Sequence, residues 1–468
     1  MGVKPLFYTW CGEELIFASE LKGIFAHPLP KPEVGREGWN EIFGIGPARS
    51  SGCGVFRGVY EVLPGEYLVC STDGCHRKKY WELKSHPHED DYEKTVETVA
   101  GLVYDAVARQ MVSDVPICTF LSGGVDSSLV SAICAMELKK QGKQLTTFSF
   151  DFADNQKNFK ASDFQPSQDR PYVEKMVEYL ESEHHFLECG NGQQISLLTD
   201  SVKAHDLPAM ADVDSSMLYF CSQVAKTRKV TLTGECADEI FGGYPWFHKK
   251  EAMETGMFPW TMDLAPRKQL LSDEFLRELR MEEYVTAAYE KSVAEVPKCA
   301  EDSPEEARRR EISYLNLKWF MQTLLNRMDR TSMYCGLEAR VPFADNRIVQ
   351  YVWNVPWEMK AKDGVVKNLL RQAGRGKLPE EVLFRRKSPY PKTYDPGYEN
   401  LLKKMFREML EDSSAPVLQF LDKKKLEDFM KQPSDYGKPW YGQLMAGPQM
   451  LAYLFQVNQW MKMYHISV

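Results

Sequence analysis

The spacing of apolar residues changes twice along the chain, near residue 92 and near residue 311. Before residue 85, short apolar runs at 15–18, 59–63 and 66–70 alternate with turns such as Leu63-Pro64-Gly65. Short runs of this kind, bounded by Pro and Gly, are typical of strands. We therefore predict a small α+β domain over residues 1–84, separated by the polar stretch 85–91 from a second domain over residues 92–468.

Strand-like and helix-like segments alternate in the second domain. The predicted strands are 117–121, 145–150, 185–188 and 230–233, and the predicted helices are 127–140, 172–181 and 216–227. This alternation predicts an α/β fold in which helices cover both faces of a parallel sheet and a ligand binds at the carboxyl ends of the strands. From residue 311 the pattern is mainly helical and ends in an apolar helix near residues 451–460.

Composition narrows the class of protein. With 468 residues, 43% hydrophobic residues and a formal charge of −8, the chain is a globular protein for which nucleic acid is not the expected partner. We find no signal peptide and no apolar run that spans a bilayer, so no membrane partner is expected. The eleven cysteines are scattered, several of them in apolar segments, and predict reduced thiols in a cytoplasmic protein. His184 and His185 are expected to open a strand rather than bind a metal.

A glycine-rich loop follows the first predicted strand of the second domain. It consists of Ser122, Gly123, Gly124, Val125, Asp126, Ser127 and Ser128. Two glycines let the backbone approach an anion, and the first turn of the following helix offers free N–H groups for phosphate. The serine hydroxyls add donors, and the carboxylate of Asp126 suits a Mg²⁺ ion between protein and phosphate. The same residues are also typical of a plain turn and helix cap.

A second acidic turn follows the strand at 230–233. Glu235, Asp238 and Glu239 repel one another and need a cation or a positively charged reactant in a cleft. The competing interpretation is an exposed acidic helix start, although Gly242 and Gly243 end such a helix at once. We expect Asp126 and Asp238 to lie at neighbouring strand ends and to share one Mg²⁺.

The motifs TFLSGGVDSS, TGECADEIFGGY and LNRMDRTSMYCGLEARVPFAD resemble the synthetase domain of the glutamine-hydrolysing asparagine synthetases. The resemblance covers about residues 91–395 and implies an ATP pyrophosphatase fold of the adenine nucleotide alpha hydrolase type. It implies ATP and Mg²⁺ as substrate and metal, with aspartate and ammonia as the other substrates. The residues that it assigns to ATP are Leu121, Ser122, Gly123, Gly124, Asp126, Ser127, Ser128, Phe150, Thr233 and Gly234.

The resemblance also implies two catalytic residues. Glu235 matches the glutamate needed to form an aspartyl-adenylate, and Lys387 matches a lysine that binds pyrophosphate. The basic triplet that contains Lys387 also fits an ordinary surface cluster. We interpret Glu338 and Arg340 as a buried structural ion pair, and Cys236 departs from the glycine common at its position.

Residues 1–84 resemble only the inner part of a glutaminase domain of the N-terminal nucleophile type. Position 2 holds Gly2 where that family has a nucleophilic cysteine, and Cys11 is no substitute. We therefore expect asparagine synthesis from ammonia, with glutamine used only if another chain supplies a complete glutaminase. A partial domain is also expected to expose apolar faces, and a homodimer stays open.

Two alternatives remain at this stage. A related β-lactam synthetase adenylates a different carboxylate and closes a ring with an internal amine. A catalytically silent relative binds nucleotide without turnover, but the presence of Asp126, Glu235, Asp238 and Lys387 argues against such decay.

Overall fold

The computed structural model describes residues 1–71, 74–161, 165–431, 441 and 447–466. Its strands form a three-stranded sheet, a two-stranded hairpin and a five-stranded sheet. They are β1 (Phe7–Cys11), β2 (Glu14–Ala18), β3 (Val59–Glu61), β4 (Glu66–Ser71), β5 (Gly74–Lys79), β6 (Ile117–Phe120), β7 (Thr146–Phe152), β8 (Glu183–Cys189), β9 (Val230–Leu232) and β10 (Glu338–Arg340).

The helices of the first half of the chain cover and connect these strands. They are α1 (Leu21–Phe25), α2 (Arg36–Asn40), α3 (Tyr92–Gln110), α4 (Val125–Lys140), α5 (Asn155–Asn158), α6 (Arg170–Leu180), α7 (Asn191–Ser196), α8 (Leu198–His205), α9 (Asp212–Val224), α10 (Ala237–Phe241) and α11 (Lys250–Glu254).

The second half is mainly helical, as its sequence predicts. Its helices are α12 (Ala265–Lys268), α13 (Asp273–Leu279), α14 (Met281–Ala294), α15 (Pro304–Leu315), α16 (Met321–Tyr334), α17 (Asn346–Asn354), α18 (Trp357–Lys360), α19 (Asn368–Ala373), α20 (Glu380–Leu383), α21 (Pro396–Glu411), α22 (Lys423–Lys431) and α23 (Gly447–Tyr464). Within the described ranges, every helix is too short or too polar to span a bilayer.

The five-stranded sheet is parallel throughout and has the order β10-β9-β6-β7-β8. Parallel neighbours need long crossovers, and here helices supply them on both faces. Ile117 points toward the core formed with α3 and α4, while the adjacent Cys118 points toward the core formed with α9 and α16. This arrangement confirms the predicted α/β fold and brings the carboxyl ends of β6 and β9 side by side.

The N-terminal sheet has the antiparallel order β2-β1-β3, and its inner side shares a core with the C-terminal helices. Ile24 and Ile42 are fully buried there, and the rings of Trp39 and Trp460 meet at 5.8 Å. Phe17 is 66% exposed on the opposite side. The expectation of exposed apolar faces therefore holds for the outer face and is wrong for the inner face.

Several elements differ from the sequence-based expectations. The described strands of the larger sheet agree with the predicted ones to within two residues, but β1, β5 and β10 were not predicted. Cys70 and Cys75 face each other across β4 and β5 and form a disulfide, so the prediction of reduced thiols is wrong for this pair. Adjacent strands place their opposite residues within bonding distance, which an irregular spacing of cysteines does not reveal.

Candidate active site

The glycine-rich loop runs from the end of β6 into α4, and its shape depends on glycine. Gly123 has a φ of +70°, and a Cβ there would lie 2.6 Å from the Cβ of Tyr172. Gly124 is the N-cap residue of α4. Because the first N–H groups of a helix have no partner within it, the start of α4 offers donors and a favourable dipole to an anion in the cleft.

Two of the loop serines bond to each other. The hydroxyl of Ser127 lies 3.0 Å from that of Ser122 and also accepts the N–H of Ser122 at 3.1 Å. Ser128 is fully buried, and the cleft wall contains neither Ser128 nor Gly123. These two residues shape the loop from behind. The other predicted residues line the cleft, namely Leu121, Ser122, Gly124, Asp126, Ser127, Phe150, Thr233, Gly234, Glu235, Asp238 and Lys387.

The acidic turn after β9 touches the first loop directly. A Cβ on Gly234 would lie 2.7 Å from the backbone nitrogen of Ser127, so only glycine allows the two loops to come this close. Gly243 has the same role beside Asp238, since a Cβ there would lie 1.8 Å from Oδ1 of that carboxylate. Close backbone approach at two points explains why glycines flank the acidic residues.

Each of the three carboxylates of this turn has its own partner. Glu235 Oε1 accepts a hydrogen bond from Arg327 Nη2 at 2.8 Å, and Glu239 accepts one from the hydroxyl of Tyr244 at 2.6 Å. Asp238 pairs with two lysines. The turn is therefore not an exposed helix start, because distant parts of the chain neutralise it inside the cleft.

Asp126 and Asp238 meet at a common lysine. Lys367 Nζ lies 2.5 Å from Oδ2 of Asp126 and 2.8 Å from Oδ1 of Asp238. Lys387 Nζ also pairs with the second oxygen of Asp238. The two carboxylates thus lie at neighbouring strand ends as the sequence predicts, and an ammonium group lies between them.

The surroundings shift the pKa values of Asp126 and Asp238 in opposite directions. Burial raises the pKa of Asp126 above its usual value, and Lys367 offsets only part of that shift. For Asp238, burial acts in the same direction, but the ammonium groups of Lys367 and Lys387 outweigh it and hold the pKa well below its usual value. Asp238 is therefore a permanent carboxylate that two cations stabilise.

The other end of the cleft is apolar. The ring of Phe150 stacks on that of Tyr390 at 5.8 Å with an interplanar angle of 13°, and Leu121 is 1% exposed beside them. Thr233 anchors the floor because its N–H donates to the carbonyl of Arg340 at 3.0 Å. An apolar, aromatic wall next to the free backbone N–H groups at the start of α4 suits a heterocyclic base joined to phosphates.

Two residues of the basic triplet, Arg385 and Lys387, belong to the cleft, whereas Arg386 is exposed. Arg385 Nη1 donates to the carbonyl of Ser122 at 2.9 Å, and its Nη2 bonds to Asp169 at 2.5 Å. This fixes the segment over the first loop, so that Lys387 reaches Asp238. Because the buried guanidinium of Arg385 bonds both to a backbone carbonyl and to a carboxylate, it is held in one orientation.

Comparison with known proteins identifies the family. Residues 98–462 match the asparagine synthase family, and residues 1–81 match a glutamine amidotransferase domain. The chain is 46% identical to glutamine-hydrolyzing asparagine synthetase 3 of Bacillus subtilis over all of its own length and 76% of that protein.

The chain belongs to the asparagine synthase family. It is therefore a ligase that forms a carbon–nitrogen bond, and ATP-dependent synthesis of asparagine is the activity of the family. Glutamine-hydrolyzing asparagine synthetase 1 of Bacillus subtilis is 28% identical over 88% of the chain and 68% of that protein. Amidase chyE of Penicillium rubens is 25% identical over 90% of the chain and 70% of that protein.

Within this asparagine synthase site, sequence reasoning missed Arg327 and Lys367. Arg327 lies in a motif that carries the family resemblance, and its place in that motif was the available signal. Lys367 gave no signal, because a lysine in the run Val365-Val366-Lys367 looks like a solvated residue. Glu338 and Arg340 form the predicted ion pair, with 2.9 Å between Arg340 Nε and Glu338 Oε1. The predicted burial of this pair is wrong, because both residues lie on an edge strand and their side chains are 20% exposed for Arg340 and 44% exposed for Glu338.

Proposed function

We propose that the protein joins ammonia to the side-chain carboxylate of aspartate in two steps. In the first step a carboxylate oxygen attacks the α-phosphorus of ATP, the α–β anhydride bond breaks and pyrophosphate leaves. In the second step ammonia attacks the acyl carbon of β-aspartyl-AMP and AMP leaves. This division helps because the free carboxylate has only a poor leaving group, its own oxygen, whereas the acyl-adenylate has a good one, AMP.

The observation that carries this proposal is the meeting of the two loops. Asp126 and Asp238 share Lys367, and Gly234 lies against Ser127, so both strand ends face one binding position. A triphosphate at the start of α4 would lie against the lysines, with its base toward Phe150 and its α-phosphate near the acidic turn. Aligned donors and cations would then stabilise the charge that develops on departing pyrophosphate.

The two aspartates fit Mg²⁺, which proteins hold through one or two carboxylates plus substrate phosphates. Oδ1 of Asp126 is buried and takes no hydrogen bond, so it has a lone pair to give. Across the described parts of the chain, no three His, Cys, Asp or Glu side chains gather into a metal site. Asp126 and Asp238 would therefore hold an ion whose remaining ligands come from the nucleotide and water. Bound there, Mg²⁺ would neutralise the charge of the phosphates.

Three side chains have proposed roles in the chemistry. Lys387, beside Asp238, donates to the leaving pyrophosphate. Glu235 takes the proton that ammonia must lose as the carbon–nitrogen bond forms, and the hydrogen bond from Arg327 orients it for that task. This role in the second step adds to the part in adenylate formation that the family resemblance implies for Glu235.

We propose ammonia as the nitrogen donor of this protein. In the N-terminal segment, burial raises the pKa of Cys53 to about 12, and Cys70 is bonded to Cys75. Neither Cys53 nor the Cys70–Cys75 pair therefore offers a thiolate nucleophile at neutral pH. The fourth cysteine of the segment, Cys11, is free and partly exposed at the end of β1, where the chain turns into β2.

The test is exchange of labelled pyrophosphate into ATP with aspartate present, followed by addition of ammonium or glutamine. We expect exchange that depends on aspartate, release of AMP, and asparagine with ammonium only. Release of ADP would contradict the proposal, and exchange with a different carboxylate but not aspartate would favour the β-lactam synthetase alternative. Asparagine formed from glutamine by the purified chain would overturn the choice of donor alone.

A further inference from the structure

Lys367 is held between the two carboxylates by the fold around it. Its side chain is 2% exposed, and its backbone has a φ of +55° and a ψ of 33°, in the left-handed region. A residue other than glycine is uncommon in that region and costs free energy there. The unfavourable backbone conformation at the N-cap of α19 therefore costs conformational free energy, and it directs this ammonium group at Asp126 and Asp238.

Neighbouring groups fix the segment that carries Lys367. The guanidinium of Arg371 donates to the carbonyls of Val366 at 2.7 Å and Arg385 at 2.9 Å. The amide of Asn368 donates to the hydroxyl of Tyr92 at 2.6 Å. Because the residues on both sides of Lys367 are held by these bonds, the backbone is constrained, and a change in the direction of the ammonium group would come from rotation about the side-chain torsions.

The charges of the cluster balance. Two carboxylates, Asp126 and Asp238, face two ammonium groups, Lys367 and Lys387, in a buried position. A divalent ion added to this set would lie within a few ångströms of two cations in a medium that screens poorly. Asp126 keeps its buried Oδ1 free, but both oxygens of Asp238 are already paired, Oδ1 with Lys367 and Oδ2 with Lys387. The ammonium group of Lys367 and a metal ion shared by the two aspartates therefore compete for Asp238 and for the space between the two carboxylates.

We propose that Lys367 is an internal counter-ion that keeps divalent metal out of the site until nucleotide arrives. The inference rests on the proposed sharing of one metal by Asp126 and Asp238. The triphosphate brings several negative charges into the cleft, and the ammonium group turns toward them. This releases the carboxylate oxygens for the metal. Lys367 is thus a positioning residue that couples metal binding to nucleotide binding, and the coupling acts equally in both directions.

The test measures Mn²⁺ binding directly, with no turnover. Equilibrium dialysis of Mn²⁺, read by electron paramagnetic resonance, is done with and without α,β-methylene-ATP, whose α–β bridge does not cleave. For the unaltered protein we expect no tight Mn²⁺ binding alone and retention of Mn²⁺ with the nucleotide. For Lys367→Met we expect nucleotide-free Mn²⁺ affinity to rise at least about tenfold, a step within the usual size of coupling between sites.

Two controls accompany Lys367→Met. Lys360→Met removes a buried lysine that lies outside the cleft wall, and Mn²⁺ binding should not change. Asp126→Asn combined with Lys367→Met removes one proposed ligand, and the gained affinity should be lost. If Lys367→Met does not fold, Lys367→Gln, which removes the charge and keeps a polar side chain, supplies the same comparison with the unaltered protein.

The outcomes separate this inference from the proposed function. If the unaltered protein binds Mn²⁺ equally well with and without nucleotide, and Asp126→Asn abolishes that binding, the shared metal stands and the role of Lys367 is wrong. If Lys367→Met binds Mn²⁺ no better than the unaltered protein, its role is wrong as well. If no variant retains Mn²⁺ even with nucleotide, both the proposed metal site at Asp126 and Asp238 and the proposed role of Lys367 are wrong.

Discussion

Arg327 Nη2 lies 2.8 Å from Glu235 Oε1, and only 5% of the arginine side chain is exposed. The guanidinium also lies 5.3 Å from the centre of the Tyr390 ring. Glu235 follows β9, whereas Arg327 lies on α16, far along the chain. The orientation of the proposed proton acceptor is therefore set by a helix outside both nucleotide loops, and Arg327 is a positioning residue for Glu235.

Replacing Arg327 should affect stability and chemistry together. In Arg327→Met the carboxylate of Glu235 loses its partner while still largely buried, which should lower the free energy of unfolding by about 3 kcal/mol. Asparagine formation should fall more than pyrophosphate exchange. Urea unfolding and the two assays measure these effects, with the exposed Arg277→Met as control.

Arg327→Lys tests whether charge alone is sufficient. It keeps the positive charge but lacks the planar fork, so we expect partial recovery of stability and little recovery of asparagine formation. Full activity in this variant would show that Arg327 supplies charge and does not set geometry.

Removing one proposed metal ligand should stop activation of the carboxylate. Asp126→Asn keeps the size of the side chain but removes its charge, and Lys367 retains Asp238 as a partner. We expect pyrophosphate exchange to fall at least about a hundredfold, the scale for losing one transition-state contact in a water-excluded site. The exposed Asp114→Asn, just before β6, should keep full exchange. Unchanged exchange in Asp126→Asn would exclude Asp126 from the metal and phosphate site.

A methyl group at the contact between the two loops should separate them. In Gly234→Ala the new Cβ would lie 2.7 Å from the backbone nitrogen of Ser127. A Cβ and a backbone nitrogen cannot rotate away from each other as side-chain ends can, so the two loops themselves would have to move apart. We expect weaker ATP binding in a filter or calorimetric assay and a loss of about 1–3 kcal/mol of stability, as for overpacked sites.

The matched control for that substitution is Gly101→Ala in α3. Beyond the neighbouring backbone of α3, no atom lies within 4 Å of the added Cβ, and alanine favours the helix by about 0.5–1 kcal/mol. ATP binding should therefore be unchanged and stability slightly higher. Equal ATP affinities in the two variants would contradict the close contact of the loops.

Glu239 should give the protein a specific dependence of stability on pH. Burial, with a smaller effect of Asp238, raises its pKa from 4.5 to about 8. Between these values the folded protein holds a proton that the unfolded chain has released. Stability should therefore fall as pH rises from about 4.5 to 8, by up to about 1.4 kcal/mol per pH unit, and level off above pH 8.

Glu239→Gln isolates this effect, since the amide oxygen can still accept the hydrogen bond from Tyr244. Urea unfolding at pH 5, 6.5 and 8 should show that the free energy of unfolding of the variant increases relative to that of the unaltered protein as pH rises. The exposed Glu274→Gln should give a curve parallel to that of the unaltered protein. Parallel curves for Glu239→Gln would mean that the buried carboxyl titrates normally.

Local pattern was enough for most of the larger sheet. β6, β7 and β9 are mainly apolar runs bounded by turns, whereas β8 is more polar. The alternation of these strands with helices reveals a parallel sheet without any knowledge of contacts. β10 escaped prediction because its three residues, Glu338 to Arg340, carry two charges. An edge strand has one side open to solvent, so its sequence need not be apolar.

Sequence alone also located the acidic residues of the site, because the chemistry of Asp126 and Asp238 is visible in the loops that follow two strands. Parallel strands end at a common edge, so this much follows from order along the chain. The partners of those residues do not follow. Lys367 bonds to Asp126 across 241 positions and Arg327 to Glu235 across 92. A lone basic residue has no periodicity, and only packing of the C-terminal helices against the sheet decides which carboxylate it meets.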